Sequence, residues 1–133
     1  MKKLIVVIVA FLLLSGCNAS SPSQSQIMDN GKPGQIVVTV FYDENANGIK
    51  DQGEKGLIDQ VSISQDSTCP PSNLQNITRS DTASNGETVF NELKPGRYCI
   101  SYMGGRASTT KLNSEVFLSS EQKAQVFFGL SEQ

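Results

Sequence analysis

The chain has 133 residues, a length for one domain, and its 13 Asp and Glu outnumber its 11 Lys and Arg. It has no basic cluster, which argues against nucleic acid as a partner. It has no histidine, which excludes Ser-His-Asp and Cys-His catalysis and histidine-based metal sites, so no enzymatic activity is expected.

Lys2 and Lys3 precede an unbroken apolar run from Leu4 to Leu14. Eleven residues are too few to span a bilayer as a helix, which takes about 20. They suit the core of an export signal with a positive segment in front. The run ends in Leu14-Ser15-Gly16-Cys17, which resembles the lipobox of bacterial lipoproteins. The resemblance implies removal of residues 1–16, and lipid on the thiol of Cys17. An ordinary signal segment that happens to carry a Cys is the alternative. Lipid chains contribute about 0.8 kcal/mol per buried CH₂, so two or three of them anchor a protein durably without spanning. The expected location is the cell envelope: the outer membrane where one exists, otherwise the outer face of the cell membrane. Asn18 is not the Asp that retains enteric lipoproteins at the inner membrane, which favours the outer one.

Cleavage would remove two lysines and leave nine Lys and Arg against thirteen Asp and Glu, a net charge of about −4. Residues 17–34 read as the lipidated Cys and a flexible linker rich in Ser, Gln, Pro and Gly. Such a linker would span about 20–25 Å. Cys69 and Cys99 are the remaining cysteines. In an oxidising compartment they are expected to pair as a disulfide, two buried free thiols being the alternative.

The folded domain is placed at residues 35–133. Ile36 to Tyr42 is β-branched and aromatic, a strong strand signal. Further strands are predicted over Ile58 to Gln65, Ile77 to Asp81, Thr88 to Leu93, Arg97 to Met103, Val116 to Leu118 and Ala124 to Leu130. In the second, Val61 and Ile63 share a face. In the fifth, Tyr98, Ile100 and Tyr102 do, and in the last, Ala124, Val126, Phe128 and Leu130. Phe127 points the other way, towards a contact patch or the underside of a loop. Turns are marked by Ser84-Asn85-Gly86 and Lys94-Pro95-Gly96. No stretch after the linker has helical periodicity, so the fold class is all-β, a sandwich.

The loop between the first two strands runs Asp43-Glu44-Asn45-Ala46-Asn47-Gly48-Ile49-Lys50-Asp51-Gln52-Gly53-Glu54. It fits the twelve-residue calcium-loop pattern. Asp43, Asn45 and Asn47 would offer side-chain oxygens at positions 1, 3 and 5, and Ile49 its carbonyl at position 7. Asp51 would act at position 9, through a water, and Glu54 at position 12. Gly48 stands where the sharp turn is needed. Strands, not helices, flank the loop, so no EF-hand helix pair is expected. Two Asn in place of carboxylates imply weak binding, about 10⁻⁵–10⁻³ M. A turn without an ion is the plain alternative.

Val38 to Leu57, spanning that strand and loop, resembles the opening signature of the SdrD B-like domains, relatives of collagen-adhesin B-type domains. Gly86-Glu87-Thr88-Val89-Phe90-Asn91-Glu92-Leu93-Lys94-Pro95-Gly96-Arg97-Tyr98 resembles the family's second signature. The resemblance implies a seven-stranded, Greek-key, transthyretin-like sandwich. It assigns the loop residues above as calcium ligands and implies a non-catalytic, calcium-stiffened role at a surface. Thr88 stands where the family has Tyr, and Ala83 where an Asp often precedes the turn, so no second calcium site is expected. Neither is an isopeptide bond, since the first strand has no Lys and the last no Asn. The single copy favours a small monomeric binding protein, for a protein or glycan ligand, over a stalk. A carbohydrate-binding sandwich is the runner-up, disfavoured by the absence of Trp.

Overall fold

The computed structural model describes residues 31–132; the export signal, Cys17 and the linker up to residue 30 lie outside them. Seven strands form two sheets: β1 (Gly34–Tyr42), β2 (Gln60–Ser64), β3 (Thr78–Asp81), β4 (Glu87–Leu93), β5 (Gly96–Tyr102), β6 (Asn113–Leu118) and β7 (Lys123–Leu130). One sheet has the order β4-β1-β7 and the other β3-β2-β5-β6. Among the described residues the only helix is a 3₁₀ turn, Leu74–Asn76, capped by the Asn73 side chain. All seven predicted strands are present. The second is shorter than read, because Ile58 falls in the loop before it and is 66% exposed. The sixth begins three residues earlier, at Asn113.

β1 is the middle strand of its sheet. It pairs antiparallel with β4 and parallel with β7, from Gln35 opposite Lys123 to Tyr42 opposite Leu130. Its alternation places Ile36, Val38 and Val40 inward, beside Phe90 of β4 and Val126, Phe128 and Leu130 of β7. Val61, Ile63, Tyr98, Ile100, Tyr102 and Leu118 close the core from the other sheet. Burying each of these larger side chains stabilises the fold by about 1.5–3 kcal/mol. Phe127 lies on the outer face, opposite Thr39, and is 41% exposed.

In β2 both faces are buried, not only that of Val61 and Ile63. Ser62 and Ser64 sit on the outer face beside Ser101 and Cys99. Small polar side chains are buried there, a feature that alternation of apolar residues does not report.

Cys69 and Cys99 form a disulfide with their Cα atoms 5.4 Å apart. It fastens the β2–β3 connection, residues 65–77, to β5. The Asp66 carboxylate organises that connection, accepting from the Ser72 amide at 2.9 Å, the Ser72 hydroxyl at 3.0 Å and the Asn73 amide at 3.1 Å. These bonds, the Asn73 amide foremost and then the Ser72 hydroxyl, hold its pKa down to about 2. A carboxylate whose pKa is depressed on folding stabilises the native state above its ordinary pKa of 3.8, and that contribution is lost as pH falls towards 2. Asp66→Asn is therefore expected to lower the melting temperature at neutral pH and to make the loss between pH 4 and pH 2 shallower, in thermal melts across that range. Parallel pH profiles for the two proteins would show that Asp66 has no such role.

Candidate metal centre

Strand β1 delivers Asp43 to the loop mouth, where its amide donates to the Leu130 carbonyl at 2.9 Å. Asp43 is 2% exposed. Its Oδ1 accepts from the Asn47 amide at 3.1 Å and its Oδ2 from the Gly48 amide at 2.8 Å. The Thr109 hydroxyl also donates to Oδ2. Burial pushes the carboxyl pKa up, but Thr109 and the amides of Gly48, Asn47 and Ala46 together outweigh it and hold the pKa below its ordinary value. The turn these amides make needs φ of +75° at Gly48, a conformation glycine adopts without steric cost.

Further along, Asn45 and Asn47 each donate Nδ2 to the same Oδ2 of Asp51, both at 2.8 Å. Positions 3, 5 and 9 of the predicted pattern thus converge. The carboxamide oxygens face the backbone instead, Asn45 Oδ1 accepting from the Asn47 amide at 3.0 Å. The Ile49 amide donates to Asn47 Oδ1 at 2.7 Å. The Ile49 side chain is 62% exposed.

Glu54 reaches back across the loop. Its Oε1 accepts from the Glu44 amide at 3.0 Å and its Oε2 from the Asp51 amide at 2.8 Å. All six predicted residues therefore lie in one closed loop, and Asn45, Asn47 and Asp51 are in direct side-chain contact. Asp43 and Glu54 turn their carboxylates onto backbone amides. Among the described residues no three carboxylate, cysteine or histidine groups are grouped to hold a metal ion. The oxygen-bearing groups of the loop are two carboxamides, a main-chain carbonyl and carboxylates, the hard-oxygen type that calcium selects.

Two supports come from outside the motif. The β5–β6 connection brings Thr109 to Asp43; its own amide donates to the Gly129 carbonyl at 2.9 Å. Lys50 lies over the buried Phe41 ring, 5.9 Å from its centroid, and donates to the Glu54 carbonyl. Thr109 is 66 residues from Asp43 in sequence, and nothing local to either marks the pairing.

The loop exit is sealed against the β3–β4 turn, backbone to backbone. Val40 N donates to the Gly86 carbonyl at 2.8 Å and Leu57 N to the Val40 carbonyl at 2.9 Å. A Cβ on Gly56 would lie 1.9 Å from the Asn85 carbonyl oxygen. Gly56→Ala must push two backbone segments apart, and overpacking of this kind costs about 1–3 kcal/mol or more. Urea unfolding is expected to show that loss; an unchanged midpoint would mean the two segments do not touch.

Residues 34–125 match the family model described as SdrD B-like domain, and residues 1–18 the model described as prokaryotic membrane lipoprotein lipid attachment site. No curated protein matches the chain. Among solved structures, the fold is similar to that of the shaft pilin SpaA from Lactobacillus rhamnosus GG, with a TM-score of 0.55 and 12% identity over 77% of this chain and 52% of that one. It is similar to the full-length major pilin SpaD from Corynebacterium diphtheriae, with a TM-score of 0.53 and 14% identity over 76% of this chain and 32% of that one. A minor pilin of Streptococcus agalactiae gives a TM-score of 0.52 and 11% identity over 77% of this chain and 46% of that one. The chain thus matches about half or less of each of these pilins.

Proposed function

This chain belongs to the SdrD B-like domain family, and from that premise we propose that it is a non-catalytic, lipid-anchored envelope module whose β1–β2 loop takes calcium. Its role is structural or protein-binding at the cell surface. The lipid attachment match supports an anchored envelope location. The sandwich is one that pilins also use.

One observation supports the calcium reading above the others: the carboxamides of Asn45 and Asn47 meet on one oxygen of Asp51. Asn45, Asn47, Asp51 and the Ile49 carbonyl would hold the ion, with Asp43 and Glu54 supplying the flanking carboxylates. Calcium bound there would tie distant points of the loop together in the folded chain, stabilising the native state over the unfolded one. The chain's own residues do the rest. Thr109 fixes the Asp43 carboxylate, Gly48 allows the turn, and Lys50 clips the loop over Phe41.

A ligand that binds only the native state stabilises it by RT ln(1 + [L]/Kd). At the weaker end of the expected range, with Kd near 10⁻⁴–10⁻³ M, calcium at about 5 mM adds roughly 1–2 kcal/mol. For a domain of this size that raises the melting temperature by roughly 5–15 °C. The comparison is between melts of the mature chain, with Cys17→Ser for solubility, in EGTA and in calcium. Asp51→Asn is expected to abolish the rise while leaving the melt in EGTA in place. A melting temperature indifferent to calcium would sink the metal reading and leave the loop as a hydrogen-bonded turn.

A further inference from the structure

At the other end of the sandwich the two sheets part. Strand β2 ends at Ser64, β3 begins at Thr78 and β4 ends at Leu93, and a cleft of about 670 Å³ opens between them. That volume is within the range of small-ligand sites, about 300–1,000 Å³. Ile63, Leu93 and Tyr98 are its apolar part. One wall is the 65–77 connection, held by the Cys69–Cys99 disulfide and the Asp66 bonds already described. The cleft therefore has a fixed wall.

Backbone geometry marks the opposite wall. Strand β4 bulges between its pairings with Ile36 and Gly34, and Glu92 in the bulge has φ of +54°. Positive φ is uncommon for a residue with a side chain, and bulges at strand edges re-aim side chains. This one sets Glu92 at the cleft. A strained residue of this kind is a pointer to function.

We propose that this cleft binds a short neutral saccharide. Its lining includes Gln65, Asn73, Asn76, Thr78 and Glu92, residues that carry carboxamide, hydroxyl and carboxylate groups. A carboxamide or carboxylate holds two polar atoms on one carbon, and neighbouring sugar hydroxyls present a matching pair, each able to donate and accept. An anionic ligand is disfavoured, because the one cation of the cleft, Lys94, is offset by Asp66 and Glu92. A metal is disfavoured, because the two carboxylates that line the cleft, Asp66 and Glu92, share it with the Lys94 ammonium. A wholly apolar ligand would strand the polar groups without partners. The cleft lies at the end where the chain enters from its lipid-attachment segment, with Leu93 paired to Gly34. It is remote in sequence from the acidic loop, and the inference does not depend on calcium.

The test uses the mature lipoprotein in a sugar-free zwitterionic detergent, in EGTA and in calcium. The probes are N,N′-diacetylchitobiose, cellobiose and, as a neutral peptide, trialanine. Saturation-transfer NMR reports binding, and titration gives affinity. At least one disaccharide is expected to bind in both buffers. Asn76→Ala and Glu92→Ala are each expected to weaken it by roughly three- to tenfold, the effect of losing a hydrogen bond, with melting temperatures unchanged. No saturation transfer from either disaccharide at about 10 mM overturns the proposal, since so weak a contact carries no recognition. Binding indifferent to both substitutions overturns it too, by placing the sugar elsewhere. Trialanine bound in preference to both sugars would make the cleft a peptide site instead.

Discussion

Phe128→Ala is expected to lower the stability of the folded chain by about 3–5 kcal/mol, the range for deleting a buried aromatic ring. Phe128 is fully buried in β7, stands opposite Val40 across the parallel ladder, and meets the Tyr102 ring at a centroid distance of 6.2 Å. The substitution removes the ring's burial, its pairing with Tyr102, and the filler between the two sheets. The cavity left behind closes only in part, because the surrounding strands are held by their ladders. The neighbouring Phe127→Ala is the control. That side chain is on the outer face, and its removal is expected to shift stability by no more than about 0.5–1 kcal/mol. Urea unfolding midpoints of the two variants read the difference directly. Equal losses would mean that the alternation of β7 is not what buries it.

Breaking the disulfide is the second large effect. Cys69 and Cys99 are 30 residues apart. Releasing a loop of that length returns conformational entropy to the unfolded chain, worth about 3–4 kcal/mol on the loop-closure estimate. The double variant Cys69→Ala/Cys99→Ala is expected to lose that amount in urea unfolding. Wild type unfolded in reductant should lose a similar amount, which separates the cross-link from the cost of the substituted side chains. The loss should also reach the cleft, because the bond fastens its 65–77 wall to β5. A midpoint unmoved by both treatments would show that Asp66 and its partners order that connection without the bond.

Much of the architecture could be read from residue order. Seven short β-rich segments separated by turn residues predicted a sandwich, and the period of two in β2, β5 and β7 picked side chains that fill it. The second strand was harder. Ser62 and Ser64 look like solvent-facing positions, yet both are buried, on an inner strand flanked by β3 and β5. Ile58 looks like strand core and is exposed, because strand pairing begins only at Gln60. Polarity along a chain reports one-sided burial well and two-sided burial by small polar residues poorly.

The acidic loop follows the same division. The side-chain spacing of Asp43, Asn45, Asn47, Asp51 and Glu54 is local, and a local pattern suffices to close a loop through short-range hydrogen bonds. Thr109 could not be anticipated, because its contact with Asp43 exists only once the β5–β6 connection folds over the end of β1. Nor could the seal at Gly56, which depends on a turn thirty residues away meeting the loop exit at backbone distance.

By itself, the sequence determined what short-range chemistry can encode: a lipid attachment motif, one all-β domain, a loop with calcium-ligand spacing, and a lone pair of cysteines free to join. Only the tertiary structure decided which strands neighbour one another, what holds Asp43 in place, and that β2, β3 and β4 leave a cleft where their ends diverge. Those features come from segments far apart in sequence, brought together by burial of a shared core. No one segment carries the signal for a contact that only the packed whole creates.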